Sequence, residues 1–351
     1  MKKYTLAVAL FVVANLAVGQ TETAAHKLSF FNHADEIEKW AAENKVPTLG
    51  IGVIKGGKLQ QVNVFGELRK GIAAPYNTIF NVASLTKPVT AIITLKLVSL
   101  GKWDLDAPVY KYWTDPDVSR DINSKKLTTR HILSHQTGFS NWRKNNKDGK
   151  LHFEFAPGTK SQYSGEGFEY LRRALENKFH KSLNQLGHEL IFAPLQMTDA
   201  QLLWDAKTDS ARVALGYNTE GTAYKTIKNK TSNAADDLLT TIEDYGKFLV
   251  SVMNRDGLTQ SVFDEMSKNK KAGYGKHVGL GFVVYDFGNG EWALSHMGGD
   301  KGCRTFFSIL PASGQGLIIF TNADEGDKVY DKLLGHFLGE YGEKIMEMEN
   351  R

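Results

Sequence analysis

Cysteine is almost absent from this sequence, since Cys303 is the only one in 351 residues. A single cysteine excludes an intramolecular disulfide and any zinc cluster built on cysteines. Proline is also scarce, at 8 residues, and the 33 glycines follow no strict period, so collagen-like and proline-rich disordered chains are excluded. With 42% hydrophobic residues, the composition is that of a globular protein that can form a large core in one domain or in two lobes.

Neither sign of charge dominates the chain. The formal net charge is +4, and the basic and acidic residues are interspersed. No basic stripe of the kind that tracks a phosphate backbone is present, so we expect no nucleic-acid partner.

The N-terminus has the pattern of a secretory signal peptide. Lys2 and Lys3 precede an apolar run from Leu6 to Val18, and small residues stand directly before Gln20. We therefore expect cleavage after residue 19 and an exported protein, periplasmic or secreted. The run is short for a transmembrane helix, so we expect no stable membrane insertion after cleavage; an uncleaved anchor is the alternative.

Hydrophobic periodicity divides the remaining chain into two strand-rich ends and a helical middle. Alternation predicts strands over 48–54, 58–65, 278–287, 291–297, 304–310 and 316–321. Helical spacing predicts helices over 34–44, 84–100 and 165–178, another after Thr240 or Thr241, and a closing helix over about 327–348.

This order of elements predicts an α+β fold. The two ends of the chain build one antiparallel sheet with helices packed on it, and the middle forms a helical lobe. We expect the sheet lobe to comprise residues of about 34–80 and 276–348 and the helical lobe about 84–275. A cleft between the lobes is the natural place for a functional site.

A serine followed three residues later by a lysine places both side chains on one helix face, where the lysine can take the serine proton. The pattern occurs at Ser84, Ser99 and Ser267. Only Ser84 stands at the start of the predicted apolar helix over 84–100. Burial and the positive end of that helix both disfavour the charged form of Lys87. The alternative is that Ser84 merely caps the helix.

Two further motifs follow in order, Tyr163-Ser-Gly165 in a turn before a helix and His296-Met-Gly298-Gly299 in a strand. Together with Ser84-Leu-Thr-Lys87, they resemble the serine β-lactamase and D,D-peptidase superfamily, especially its class-C-like branch of β-lactamase-related hydrolases and esterases. The resemblance covers roughly residues 34–340. Other segments that match in order are Gly101–Pro108, Ile132–Gly138, Phe155–Gly158, Gly302 and Thr321-Asn322.

The resemblance implies a β-lactamase/transpeptidase-like fold and covalent acyl transfer without a metal or organic cofactor. Ser84 matches the acylated nucleophile, Lys87 its partner, and Tyr163 the tyrosine that relays the proton with the lysine. His296 stands where many relatives have a lysine.

The same resemblance assigns the groups that surround the substrate. The backbone N–H groups of Ser84 and Gly299 match the oxyanion hole, and Gly298 and Gly165 match positions beside the substrate.

Two departures from the family pattern bear on the substrate. Gly165 replaces an asparagine that holds an acylamino group, and His296, with an unperturbed pKa of about 6.5, is mostly neutral at pH 7. Recognition of a D-alanine or β-lactam carboxylate is thereby weakened. We expect a serine hydrolase acting on an ester or a small peptide or amide.

Two other functions stay open at this point. The first is a β-lactamase or D-Ala-D-Ala carboxypeptidase that acts on β-lactams or cell-wall peptides. The second, of another class, is a catalytically silent peptidoglycan- or peptide-binding module. The oligomeric state is not determined by the sequence.

Other candidate residues have plainer interpretations. His131 and His135 have the spacing of a metal pair, but Ile132 stands where a zincin needs glutamate, so we predict no metal site. Glu166 is interpreted as a first-turn helix acid rather than a deacylating base. Four side chains before Tyr163 either line the cleft or pack within their loop: Trp142, His152, Phe153 and Phe155.

Overall fold

The computed structural model of the protein describes residues 34–271 and 273–350. The predicted signal segment, residues 1–19, lies outside the described residues, so its cleavage stays a prediction. Within the described ranges, no helix is long and apolar enough to cross a membrane.

The described residues form nine α-helices and ten β-strands. The α-helices are α1 (Ala34–Glu43), α2 (Thr86–Ser99), α3 (Thr129–Leu133), α4 (Gly165–Phe179), α5 (Leu183–Gly187), α6 (Ile242–Met253), α7 (Gln260–Met266), α8 (Tyr330–Leu338) and α9 (Glu340–Glu349). The strands are β1 (Thr48–Lys55), β2 (Lys58–Arg69), β3 (Ile72–Ala73), β4 (Phe80–Asn81), β5 (Leu239–Thr240), β6 (Gly275–Val278), β7 (Val283–Asp286), β8 (Trp292–Asp300), β9 (Cys303–Leu310) and β10 (Gln315–Thr321).

Shorter helical turns connect these elements. The 3₁₀ turns are Ala83–Leu85, Val109–Lys111, Pro116–Val118, Ile122–Lys125, Arg143–Asn145, Lys268–Lys271 and Gly326–Val329, and a π-helical turn covers His188–Phe192.

One antiparallel sheet unites the two ends of the chain. Its strand order is β3-β2-β1-β10-β9-β8-β7-β6, so β1 from the first end pairs with β10 from the second. In that pair Ile51 lies opposite Ile319. The predicted α+β fold, with a sheet built from both ends and helices in the middle, is confirmed. The residue numbers at which the lobes were divided stay a prediction.

The sheet is covered on both faces, and β1 shows how. Leu49, Ile51 and Val53 point into the core that β1 shares with α1, α8 and α9. Gly50 and Gly52 face the other way, towards α6, where a Cβ would lie 2.8 Å and 2.9 Å from side-chain carbons of Ile242. The glycine pair therefore lets α6 pack closely on the sheet.

The structure corrects three predicted boundaries. The single strand predicted over 278–287 is interrupted by a turn at Gly281 with φ +80°, so only its second part is a strand, β7, which pairs with the preceding β6 in a hairpin. The long helix predicted from Ser84 begins as a 3₁₀ turn before α2. The closing helix is broken into α8 and α9 by Gly339, whose φ of +56° lies in the left-handed region.

The contact between α8 and α9 gives a stability prediction. A Cβ on Gly342 would lie 2.1 Å from the Leu334 carbonyl oxygen, whereas one on Gly335 would meet nothing closer than 3.9 Å. Gly342→Ala should lower the free energy of unfolding by about 1–3 kcal/mol because the helices must separate. Gly335→Ala, the matched control inside α8, should raise it by up to about 1 kcal/mol through helix propensity. Urea unfolding measures both, and equal effects would contradict the packing assigned to Gly342.

Candidate active site

Ser84 lies in the 3₁₀ turn Ala83–Leu85, directly before α2. The Ala83 N–H donates to Asn81 Oδ1 at 2.8 Å, and Ala83 has a left-handed φ of +46°. No side-chain hydrogen bond caps either this turn or α2, so Ser84 is not the helix cap that was considered as an alternative. Its hydroxyl is instead free to face the cleft at the positive end of a fourteen-residue helix.

Lys87 occupies the first turn of α2 and is only 1% exposed. Its Nζ donates to Ser84 Oγ at 2.9 Å and to the Ala235 carbonyl oxygen at 2.8 Å. Burial lowers the pKa of the Lys87 ammonium to about 7, and the nearby Asp236 carboxylate opposes the shift. The serine and lysine are thus in the contact that proton transfer between them requires.

Tyr163 covers the same pair from the other side. The Lys87 Nζ lies 4.7 Å from the centroid of the Tyr163 ring. Tyr163 is 42% exposed, and its ring forms part of the cleft wall. Desolvation raises the pKa of its hydroxyl, while a hydrogen bond with Ser84 opposes the rise, so the tyrosine is protonated at neutral pH.

Two imidazoles complete this cluster, and both are uncharged. The His135 ring lies 4.4 Å from the Tyr163 ring, and the His296 ring lies 6.3 Å from it. Burial, together with the positive charge of Lys87, lowers the pKa of each to about 3. His296 Nδ1 lies 2.7 Å from the Met297 carbonyl oxygen, which fixes Nδ1 as the protonated nitrogen and leaves Nε2 as an acceptor.

A segment from residue 233 to 238 fastens the nucleophile turn. Thr90 Oγ1 donates to the Ala234 carbonyl at 2.8 Å, and the Leu238 N–H donates to Thr86 Oγ1 at 3.0 Å. The Ala235 carbonyl that holds Lys87 is therefore anchored on both sides.

The same segment brings a carboxylate to the lysine. Burial and the negative charges of Asp237 and Asp300 raise the pKa of Asp236 to about 7, although the positive charge of Lys87 opposes the rise. Lys87 and Asp236 are thus electrostatically coupled. The sequence carried no signal for Asp236 beyond its being one of two adjacent acids.

Four predicted site residues meet in one cleft. Ser84, Tyr163, His296 and Gly299 line a cavity of about 440 Å³ to which His135 also contributes. His135 was predicted only as a structural residue of its motif, and the structure places it in the cluster.

Gly298 and Gly165 are not among the residues that line this cavity, so their place beside the substrate stays a prediction. A Cβ on Gly298 would lie 2.2 Å from Thr305 Oγ1 and 2.5 Å from the Val82 carbonyl, so this glycine lets β8 approach the nucleophile turn. Gly165 lies under the indole of Trp142, which a Cβ would approach to 2.7 Å. An asparagine would not fit there without displacing that ring.

Other side chains have structural roles. Both carboxylate oxygens of Glu166 accept hydrogen bonds from Arg143, at 3.0 Å each, so Glu166 belongs to an ion-pair network. His131 forms a capping box with Thr128 at the start of α3. Burial raises the pKa of the Cys303 thiol, which excludes a reactive thiolate.

The aromatic residues before Tyr163 pack within their loop. Trp142 covers Gly165, the Phe153 ring lies 4.6 Å from that of Phe139, and His152 pairs with Asp148 at 2.8 Å. The Phe155 carbonyl lies against Gly138. Among the residues that the structure describes, no group of three or more His, Cys, Asp or Glu side chains could hold a metal ion.

Comparison with known proteins agrees with this geometry. A profile of the family described as Beta-lactamase matches residues 33–338. The chain belongs to the beta-lactamase family. The predicted family is therefore confirmed. The predicted enzyme class, a serine hydrolase that works by acyl transfer, agrees with membership of this family.

Individual relatives are distant. Protein flp of Staphylococcus aureus strain MW2 is 22% identical over 324 residues, which cover 86% of this chain and 64% of that protein. Esterase EstB of Burkholderia gladioli is 37% identical over 68 residues, 19% of this chain and 17% of that one. The octameric penicillin-binding protein homologue of Pyrococcus abyssi superposes with a TM-score of 0.73 at 22% identity, covering 88% of this chain and 77% of that chain. The chain thus spans less than two thirds of the length of protein flp.

The coupling of Lys87 and Asp236 predicts the pH dependence of activity. If neutral Lys87 accepts the serine proton, kcat/KM rises with pH through the pKa of Lys87, about 7. Asp236→Asn removes a charge that favours the ammonium, so the pKa of Lys87 falls and the rise should move about one pH unit lower. The pH profile of kcat/KM for a neutral ester measures this shift.

Asp300→Asn is the control for that profile, because Asp300 acts on Asp236 but is not among the groups that shift the pKa of Lys87. It should move the profile much less. A shift of the Asp236→Asn profile to higher pH would contradict the coupling.

Proposed function

We propose that this protein is an exported serine hydrolase that works through an acyl-enzyme on Ser84, with an ester or a small amide as substrate. The observation that carries the proposal is the 2.9 Å contact between Ser84 Oγ and the buried Lys87 Nζ at the start of α2. A lysine whose pKa is lowered by burial is a competent base for a serine hydroxyl. The roles below rest on this contact and on the family resemblance.

In the proposed reaction Ser84 Oγ attacks the substrate carbonyl and passes its proton to Lys87. The negative oxygen that forms accepts hydrogen bonds from the backbone N–H groups of Ser84 and Gly299. Tyr163, protonated and next to Lys87, delivers the proton to the leaving group. Water then attacks the acyl-enzyme carbonyl and gives a proton to Lys87. As the bond to Ser84 Oγ breaks, Lys87 and Tyr163 pass that proton to Ser84 Oγ and the acid is released.

A substrate without a carboxylate or an acylamino group is supported by what surrounds the nucleophile. The pKa of His296 is lowered to about 3, so this side chain supplies no positive charge for a carboxylate. Trp142 fills the space that an asparagine at position 165 would need, so the amide that the family resemblance assigns to an acylamino group is missing. Esterase EstB, a relative over a short stretch, carries an ester-cleaving activity in its name.

Two alternatives remain distinguishable by assay. The family description and the penicillin-binding protein homologue favour β-lactams or D-Ala-D-Ala peptides as competing substrates. A silent binding module is disfavoured because Ser84, Lys87 and Tyr163 are all in place. Rates on a p-nitrophenyl ester, a chromogenic cephalosporin and a D-Ala-D-Ala peptide rank these possibilities.

A covalent adduct tests the nucleophile. A fluorophosphonate probe should add once to the folded protein, on the peptide that contains Ser84, as measured by mass spectrometry. Ser84→Ala should abolish both the adduct and ester turnover, because it removes the hydroxyl that accepts a hydrogen bond from Lys87 Nζ. Tyr163→Phe should reduce kcat by about 100-fold through loss of the proton relay.

Ser99→Ala provides the matched control, since Ser99 has a lysine at the same spacing but accepts a hydrogen bond from the Thr259 N–H at 3.1 Å. It should retain adduct formation and turnover. Full activity in Ser84→Ala would refute the assignment, and absence of any adduct in the wild type would favour the silent module.

Export is the remaining part of the proposal, and it is supported by the sequence pattern of residues 1–19 alone. We expect the mature protein to begin at Gln20 and to be recovered from the periplasm or the medium of a bacterial host. N-terminal sequencing of the secreted material checks this. An intact Met1 terminus on protein retained in the cytoplasm would overturn it.

A further inference from the structure

One end of the active-site cleft is built from elements outside the catalytic motifs. Lys276 of β6, Tyr285 of β7 and Glu349 of α9 line the same cavity as Ser84 and His296. Among the described residues that line it, Lys276 is the only lysine or arginine. It is therefore the cation that a substrate carboxylate would seek, since His296 is neutral.

That cation already has a partner. Lys276 Nζ lies 2.7 Å from Glu349 Oε2, and the Tyr285 hydroxyl donates to the other carboxylate oxygen of Glu349. The Glu349 side chain is 13% exposed, whereas that of Lys276 is 43% exposed. The carboxylate is thus the more enclosed member, and both of its oxygens are engaged.

The consequence for a substrate is electrostatic. A carboxylate that enters this end of the cleft meets a compensated lysine and the like charge of Glu349. A neutral ester or amide meets no such penalty. Like charges brought together in a binding site are a common means of rejecting a wrong ligand.

We propose that the Lys276–Glu349 ion pair sets the charge selectivity of the cleft, so that it accepts neutral acyl compounds and rejects those with a carboxylate beside the scissile bond. Glu349 is a specificity-determining residue in this scheme, and it occupies the place that a substrate carboxylate would take on Lys276. The inference rests on the proposed function, because it concerns substrates of the Ser84 centre.

The test compares matched esters that differ only in charge. One pair is the butyrate esters of 4-hydroxybenzoate and of 4-hydroxybenzamide, with the charge on the leaving group. The other is the 4-nitrophenyl esters of adipate and of adipamate, with the charge on the acyl group. For each pair the ratio of kcat/KM, charged over neutral, is measured at low ionic strength.

Glu349→Gln should raise this ratio about fivefold in at least one pair, because Lys276 is then free to attract the carboxylate. Lys276→Gln should lower the ratio, because Glu349 is left uncompensated. The opposite signs keep the test decisive even if one variant does not fold. The gain in Glu349→Gln should shrink at 0.5 M salt as screening increases.

Glu347→Gln is the matched control on the same helix, since Glu347 accepts from Tyr274 at 3.0 Å and does not line the cleft. It should leave the ratio at the wild-type value. A ratio unchanged in both pairs for folded Glu349→Gln, or raised equally by Glu347→Gln, overturns the inference. Failure of the proposed function has a different signature, namely no wild-type turnover of either neutral ester.

Discussion

The site depends on one buried contact, the Lys87 ammonium held between Ser84 Oγ and the Ala235 carbonyl oxygen. A buried ammonium loses its hydrogen bonds to water, and here the folded chain offers only a few acceptors in their place. The lysine is consequently close to losing its proton, which makes it useful as a base. The features around it, from the 3₁₀ turn to the segment over residues 233–238, serve to keep this contact in place.

The charges of the neighbouring side chains influence how readily Lys87 loses its proton. His135 and His296 are both uncharged, so neither competes with Lys87 for a counter-ion or repels its proton. The Asp236 carboxylate opposes the effect of burial, because its negative charge raises the pKa of Lys87 and so favours the ammonium. The balance between burial and this one carboxylate decides at which pH the lysine becomes a base.

The sequence predicted what depends on local spacing and on periodicity. The three-residue separation of Ser84 and Lys87 on an apolar helix identified the reactive pair, and alternation at both ends identified the sheet. What it could not supply were contacts between distant segments. Trp142 over Gly165, and Asp236 beside Lys87, arise from loops whose course no periodic pattern describes. The hairpin was missed because β6 contains Lys276 and His277 and shows no apolar pattern, whereas the turn over residues 279–282 and β7 form one apolar run.

The pairing of β1 with β10 has a consequence for synthesis of the chain. The two strands are separated by most of the sequence, yet they are neighbours near the middle of the sheet. Contacts of such long range form late, after the C-terminal strands are available. Until β8 is available, the nucleophile turn lacks the strand that packs against it at Gly298, so we expect Lys87 to stay hydrated and protonated. An unfinished chain should therefore carry an inert serine, and reactivity should arise only as the molecule completes its fold.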